Sequence, residues 1–123
     1  MIETIDKFKK VESKLITYLE INDLPIGKEI DFSINQDDSI LCTRLKDTSK
    51  GMSFRVFMKK GTKWENHNHD CDETIIVYNG KLVGLLNNII IGRGSMIEIP
   101  ANTKHKIYAE EESEFYVEFK KPH

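Results

Sequence analysis

Cysteine is scarce in this 123-residue chain, with only Cys42 and Cys71 present. Two cysteines do not make a disulfide framework, and both are expected to be thiols in a reducing compartment. No apolar run approaches the ~20 residues a helix needs to cross a bilayer, so no membrane partner is expected. An excess of one charge is missing as well. Eighteen basic side chains face twenty acidic ones, for a net charge of −2. With no basic face and no helix-turn-helix pattern, nucleic acid is not an expected partner. The opening residues MIETIDKFKKVESK lack the basic-then-apolar order of a secretory signal, and the expected location is the cytoplasm. There is no internal repeat, low-complexity segment or second domain.

The chain is 39% hydrophobic, enough for one modest core. Across residues 2–20, Ile2, Ile5, Phe8, Val11, Leu15, Tyr18 and Leu19 recur at helical spacing, with charges on the other face. This predicts an amphipathic helix, ended by Asn22-Asp23, Leu24-Pro25 and Gly27. Residues 1–28 are therefore read as an N-terminal helix and linker, and 29–123 as a β-domain. From residue 29 onward, short apolar or alternating runs follow one another at 30–34, 40–45, 53–58, 73–78, 81–86, 89–92, 95–99, 105–109 and 114–119. Turn signals separate them, and Asn79-Gly80 reads as a hairpin. Many closely spaced strands predict an all-β sandwich or barrel. The acidic run Glu110-Glu111-Glu112 reads as a solvated loop, and His123, the last residue, as irrelevant to function.

Residues 61–80, GTKWENHNHDCDETIIVYNG, concentrate two of the four histidines and a glutamate within seven positions. Alternate residues of a strand share a face, so His67 and His69 point the same way if this stretch is extended. Asp70-Cys71-Asp72 can turn, and Glu73 opens the next strand. Two adjacent antiparallel strands would then present two imidazoles and a carboxylate to one spot, a half-shell for a first-row divalent metal. His105, at the start of a later strand, can close the set. Cys71 is read as a packing residue of the turn. Trp64 and Phe57 are read as core or rim aromatics, with Trp64 also able to wall a substrate. Arg44 and Arg55 are candidates to grip a carboxylate. Tyr116, and also Tyr108, are candidates to offer a hydroxyl.

The spacing Gly61, His67, His69, Glu73, Gly80 resembles the first cupin motif at every fixed position. Gly94, Pro100 and His105 resemble the second motif, with Asn102 where a glycine is usual and Ala109 where an asparagine is usual. Asn tolerates left-handed backbone angles, so Asn102 is expected to serve the same turn. The resemblance covers residues 51–119. It implies a cupin-type double-stranded β-helix, or jelly-roll, barrel, here with the N-terminal α-helix outside it. It also implies one divalent ion (Fe, Mn, Ni or Zn, less often copper) held by His67, His69, Glu73 and His105. Three neutral imidazoles and a carboxylate would leave such a site at net +1, with coordination positions open to a ligand.

Two function classes follow. One is a mononuclear metalloenzyme acting on a small carboxylate or sugar-like substrate as a dioxygenase, isomerase or decarboxylase. No second carboxylate or histidine is evident by spacing to serve it as a general base. The other is a non-catalytic metal- or ligand-sensing cupin. A homodimer is expected in either case, because exposed strand edges invite pairing.

Overall fold

The computed structural model describes residues 2–4, 14–33, 35–86 and 88–122. After β1 (Ile2–Thr4) and β2 (Lys14–Ile16) come one short helix, α1 (Tyr18–Asn22), and β3 (Glu29–Asp31). Then follow β4 (Ile40–Arg44), β5 (Gly51–Met58), β6 (Lys63–His69), β7 (Glu73–Asn79) and β8 (Lys81–Gly84). The last four strands are β9 (Ile89–Gly92), β10 (Met96–Ile99), β11 (His105–Ala109) and β12 (Ser113–Lys120). They form two sheets, one ordered β1-β3-β4-β5-β12-β7-β10 and the other β2-β6-β11-β8-β9.

Period-two patterning explains how the sheets face each other. Along β12, Ser113, Phe115, Val117 and Phe119 are buried while the residues between them are not. On β7 the same alternation buries Glu73, Ile75 and Val77. These rows meet Leu82, Ile91 and Ile107 of the five-stranded sheet in one continuous core. Each of the nine strand runs read from the sequence overlaps a strand, the first only at Ile30 and Asp31.

The helix expected over residues 2–20 is not what the described residues form. Ile2–Thr4 pairs in parallel with β3, Lys14–Ile16 pairs in parallel with β6, and helix occurs only at Tyr18–Asn22. Residues 5–13 of that expectation lie outside the described residues. The physical reason is edge satisfaction. β3 and β6 would otherwise present open rows of N–H and C=O groups, and the β-branched Ile2, Thr4 and Ile16 suit strands.

Arg44 fastens the segment after α1 to the sheet. It is 4% exposed. Its guanidinium donates to the carbonyl oxygens of Asn22 and Leu24 at 2.8 and 2.7 Å, and to Asp47 Oδ1 at 2.8 Å. The carboxylate it grips is thus the protein's own.

Asn79-Gly80 is a bend, but not a hairpin. β7 lies in the seven-stranded sheet and β8 in the five-stranded one, so the chain crosses between sheets here. Both flanking runs are apolar because each buries its face against the other's sheet. Gly80 has φ 93°, and a Cβ on it would stand 2.3 Å from Ser113 Oγ and 2.4 Å from the Glu112 carbonyl oxygen. Gly80→Ala is therefore expected to cost roughly 2 kcal/mol or more, combining left-handed strain with a backbone clash, measurable by urea unfolding.

Both thiols sit in the core. Burial pushes Cys42 well up, and burial followed by the charges of Asp70 and Glu73 pushes Cys71 up to about 12. The reactive thiolate is then on the order of one part in ten thousand of Cys71 at pH 8. The folded protein should resist iodoacetamide at pH 8 and take up two equivalents only in denaturant, as read by intact mass.

Candidate metal centre

The site is assembled across the sandwich. His67 and His69 lie on β6 and His105 on β11, and these two strands pair with His105 opposite His67. Glu73 lies on β7, in the other sheet. The expectation of two adjacent paired strands is therefore corrected. β6 and β7 follow each other in sequence, but the turn at residues 70–72 carries the chain from one sheet to the other. The carboxylate approaches the imidazoles from the opposite layer.

That turn is tied on several sides. Asp70 Oδ1 accepts from the Tyr18 N–H at 2.7 Å, and Asp72 Oδ1 from the Ala101 N–H at 2.8 Å. The His69 carbonyl accepts from the Asn102 N–H at 2.6 Å, and the Asp72 carbonyl from the Lys120 N–H at 2.9 Å. Asn102 takes φ 62°, so it fills the left-handed turn position as expected. These bonds lock the loop before Glu73 to the loop before His105. Sequence reading had assigned Asp70 and Asp72 only to a turn.

The three imidazole rings crowd together, with centroids 4.9 Å apart for His67–His69, 4.2 Å for His67–His105 and 5.2 Å for His69–His105. Their ligand nitrogens all lie within 4.8 Å of one another, so these residues can hold a metal ion. Glu73 Oε1 stands 3.2 Å from His69 Nε2 and 3.4 Å from His105 Nε2. All are largely buried, with His67 3% exposed and the His105 side chain 11%.

Hydrogen positions sharpen the picture. His105 Nδ1 lies 3.0 Å from the Thr103 carbonyl oxygen. A carbonyl only accepts, so Nδ1 carries the proton. In the neutral ring, Nε2 then presents a lone pair toward Glu73 Oε1. Both of these buried atoms lack a hydrogen bond of acceptable geometry. Two facing acceptors in a dry interior repel unless a cation lies between them. Burial works against charging Glu73, but the imidazoles of His105 and His69 outweigh it and hold the carboxyl far below the usual carboxylate range. Burial also opposes charging His105, yet Glu73 and the Thr103 carbonyl raise it overall. The Glu73–His69 and Glu73–His105 spacings also suit pairs of ligands on one metal. Two ligands bound at ~2.1 Å and 90–110° apart stand about 3.0–3.4 Å from each other.

Aromatic rings frame the cluster. Phe119, opposite Glu73 in register on β12, sets its ring 4.8 Å from His69. Trp64 leans on His67 at 5.7 Å and stacks on Phe32 at 6.1 Å. Trp64 was legible as a possible wall. Phe119 was not, since nothing in a strand aromatic announces which imidazole it will face.

The other sequence candidates lie elsewhere. Arg44 is committed to the α1 segment. Arg55 is exposed and pairs with Glu114. Tyr116, opposite Arg55 in register, shares the outward row of β12 and donates to Glu118 Oε2 at 3.2 Å. Tyr108 alternates with the buried Ile107 and Ala109. The structure brings none of these four to the imidazole cluster. Strand periodicity left open which face was interior, and the register closes it.

No protein-family model matches the chain, and no curated protein matches it in sequence. Solved structures do match in shape. An acetylacetone dioxygenase from Acinetobacter johnsonii superimposes with a TM-score of 0.65 at 16% identity, covering 81% of this chain and 72% of that one. A conserved protein of unknown function from Streptococcus pyogenes gives 0.61 at 16% identity, covering 89% and 82%. An RmlC-like cupin protein from Desulfovibrio desulfuricans gives 0.55 at 20% identity, covering 66% and 81%. Two facing sheets agree with these likenesses: the fold of this chain is the cupin fold.

Proposed function

We propose that this protein is a mononuclear metal-binding cupin in which His67, His69, His105 and Glu73 hold one divalent ion, and that it acts on a small oxygen-bearing ligand bound at that ion. The carrying observation is the pair of buried acceptors, His105 Nε2 and Glu73 Oε1, which face each other at 3.4 Å without hydrogen bonds. The Thr103 carbonyl supports the reading, because it holds His105 in the tautomer that leaves Nε2 free to ligate. The donor set of imidazole and carboxylate suits Fe, Mn, Ni or Zn.

When bound, the ion would supply Lewis acidity to a ligand oxygen and, if iron, oxygen chemistry. The chain's own residues do the rest. Glu73 offsets one positive charge, and the imidazoles remain neutral donors. Phe119 and Trp64 keep bulk water from two sides of the cluster. The likeness to an acetylacetone dioxygenase favours oxygenation of a small chelating substrate over sugar isomerisation. A sensing role without turnover is the second reading. It is favoured by the sequence, in which no second carboxylate or histidine is evident by spacing to serve as a general base. The domain is proposed to comprise residues 29–123, with a cytoplasmic location and a homodimeric state.

Metal analysis of protein purified without added metal should find close to one equivalent of a first-row ion. His67→Ala combined with His69→Ala should abolish that retention while leaving the circular dichroism spectrum that of a β-protein. Full retention would overturn the ligand assignment. Glu73→Gln should weaken affinity by at least the roughly 10–100-fold that loss of an outer-shell partner costs. Oxygen uptake with a 1,3-diketone separates the oxygenase from the sensor.

The pH response of metal-stripped protein follows from the two shifts. The depressed Glu73 contributes stability above its unfolded value of ~4.3, which is lost as pH falls toward its folded value. The raised His105 contributes stability fully present below ~6.5, which is lost as pH rises through its folded value. Metal-free protein should therefore melt highest in mild acid. Metal-loaded protein should gain stability as pH rises, because protons compete with the ion for imidazole. Thermal melts from pH 4 to 9 would show opposite slopes.

A further inference from the structure

We propose that a cavity beside His105 receives the aliphatic body of a compact ligand whose oxygen-bearing head reaches the metal centre. This rests on the metal reading above and narrows its substrate class. The cavity measures about 210 Å³ and lies between the two sheets. Ile75 of β7, Ile91 of β9, Ile97 and Ile99 of β10 and Ile107 of β11 line it, and His105 forms part of its wall. One imidazole thus belongs both to the cluster and to the cavity.

The lining decides the chemistry. Five isoleucines from four strands offer no hydrogen bond to a guest. Their branched side chains have restricted χ1 angles, so the cage is largely formed before anything enters. A sugar would bury several hydroxyls there without partners, each at a cost that grows with its number. Arg44 and Arg55 are committed elsewhere and do not line the cavity. Of the polar lining residues, Glu98, Thr103 and Lys104 are exposed and Lys106 is half-buried. Leu86 and Ile89 also line the cavity, at 53% and 39% exposure, and make its entrance apolar.

Size limits the guest. A cavity of ~150 Å³ holds benzene, so this one takes about six to nine non-hydrogen atoms. Head-group binding falls to the ion, whose net +1 charge with this ligand set matches a monoanionic oxygen chelate. The substrate class is accordingly a short-chain aliphatic oxygen chelator, in place of the sugar-like class expected from sequence.

The test uses n-alkyl hydroxamates, which keep one chelating head while the tail lengthens. Titration calorimetry on zinc-loaded protein should show affinity rising about fourfold per methylene from acetohydroxamate to hexanohydroxamate. A polyhydroxylated hydroxamate of equal length should bind no better than acetohydroxamate. Ile97→Phe, which fills the cage, should lower hexanohydroxamate affinity at least tenfold and leave acetohydroxamate affinity and zinc content unchanged. Independently of metal, 1-hexanol added to zinc-free protein should shift the methyl NMR signals of Ile97 and Ile99, a readout that does not require the variant to fold. Affinity flat with tail length in zinc-loaded protein, or isoleucine methyls unmoved by hexanol, overturns the proposal. Hexanol shifts in a protein that retains no zinc would support the cage and sink the metal reading instead.

Discussion

A carboxylate on one sheet facing imidazoles on the other, in a dry interior, is the constraint around which this sandwich is arranged. Glu73 and His105 are largely buried, and the two nearest atoms they present to each other are both acceptors once Nδ1 donates to Thr103. Such a pair destabilises a fold unless a proton or an ion lies between its members. Packing elsewhere makes the strain affordable. Phe115, Ile75, Val77 and Leu82, all fully buried, hold the sheets together a short distance away.

The backbone bonds around residues 70–72 and 100–102 show how the chain maintains that arrangement. Three residues carry it from His69 to Glu73 across the gap between the layers. They are bonded to Tyr18, to Lys120 and to the turn before His105. Every element that delivers a group to the cluster is thereby joined to another by hydrogen bonds from main-chain N–H groups. Precision of this kind comes from rigid elements and locked loops, and less from the ligating side chains themselves.

Much of this was legible in the sequence, for identifiable reasons. Strong alternation in EFYVEF and ETIIVY revealed strands with one buried face. The histidine and glutamate spacing pointed to the cluster because few other roles place those residue types so closely together. Asn102 was legible as a left-handed turn residue because its side chain tolerates what most do not. Three things were not legible. Helical spacing at the N-terminus misled because Ile2 and Leu15 serve equally well in strands, and only the open edges of β3 and β6 decide between the two. Asn79-Gly80 signals a bend but not whether its flanking strands pair. The facing of Arg55 and Tyr116 depends on strand register, which a period of two leaves ambiguous by one residue.

Because the proposed ligand set is divided between layers, the separation of the two sheets is written into the spacing of His69, His105 and Glu73. Any motion that pries the sandwich open at this end lengthens those distances at once, while sliding one layer along the other misaligns them. An occupant of the centre would thus act as a rivet, and its departure would report the first loosening of the barrel before the rest of the core had parted.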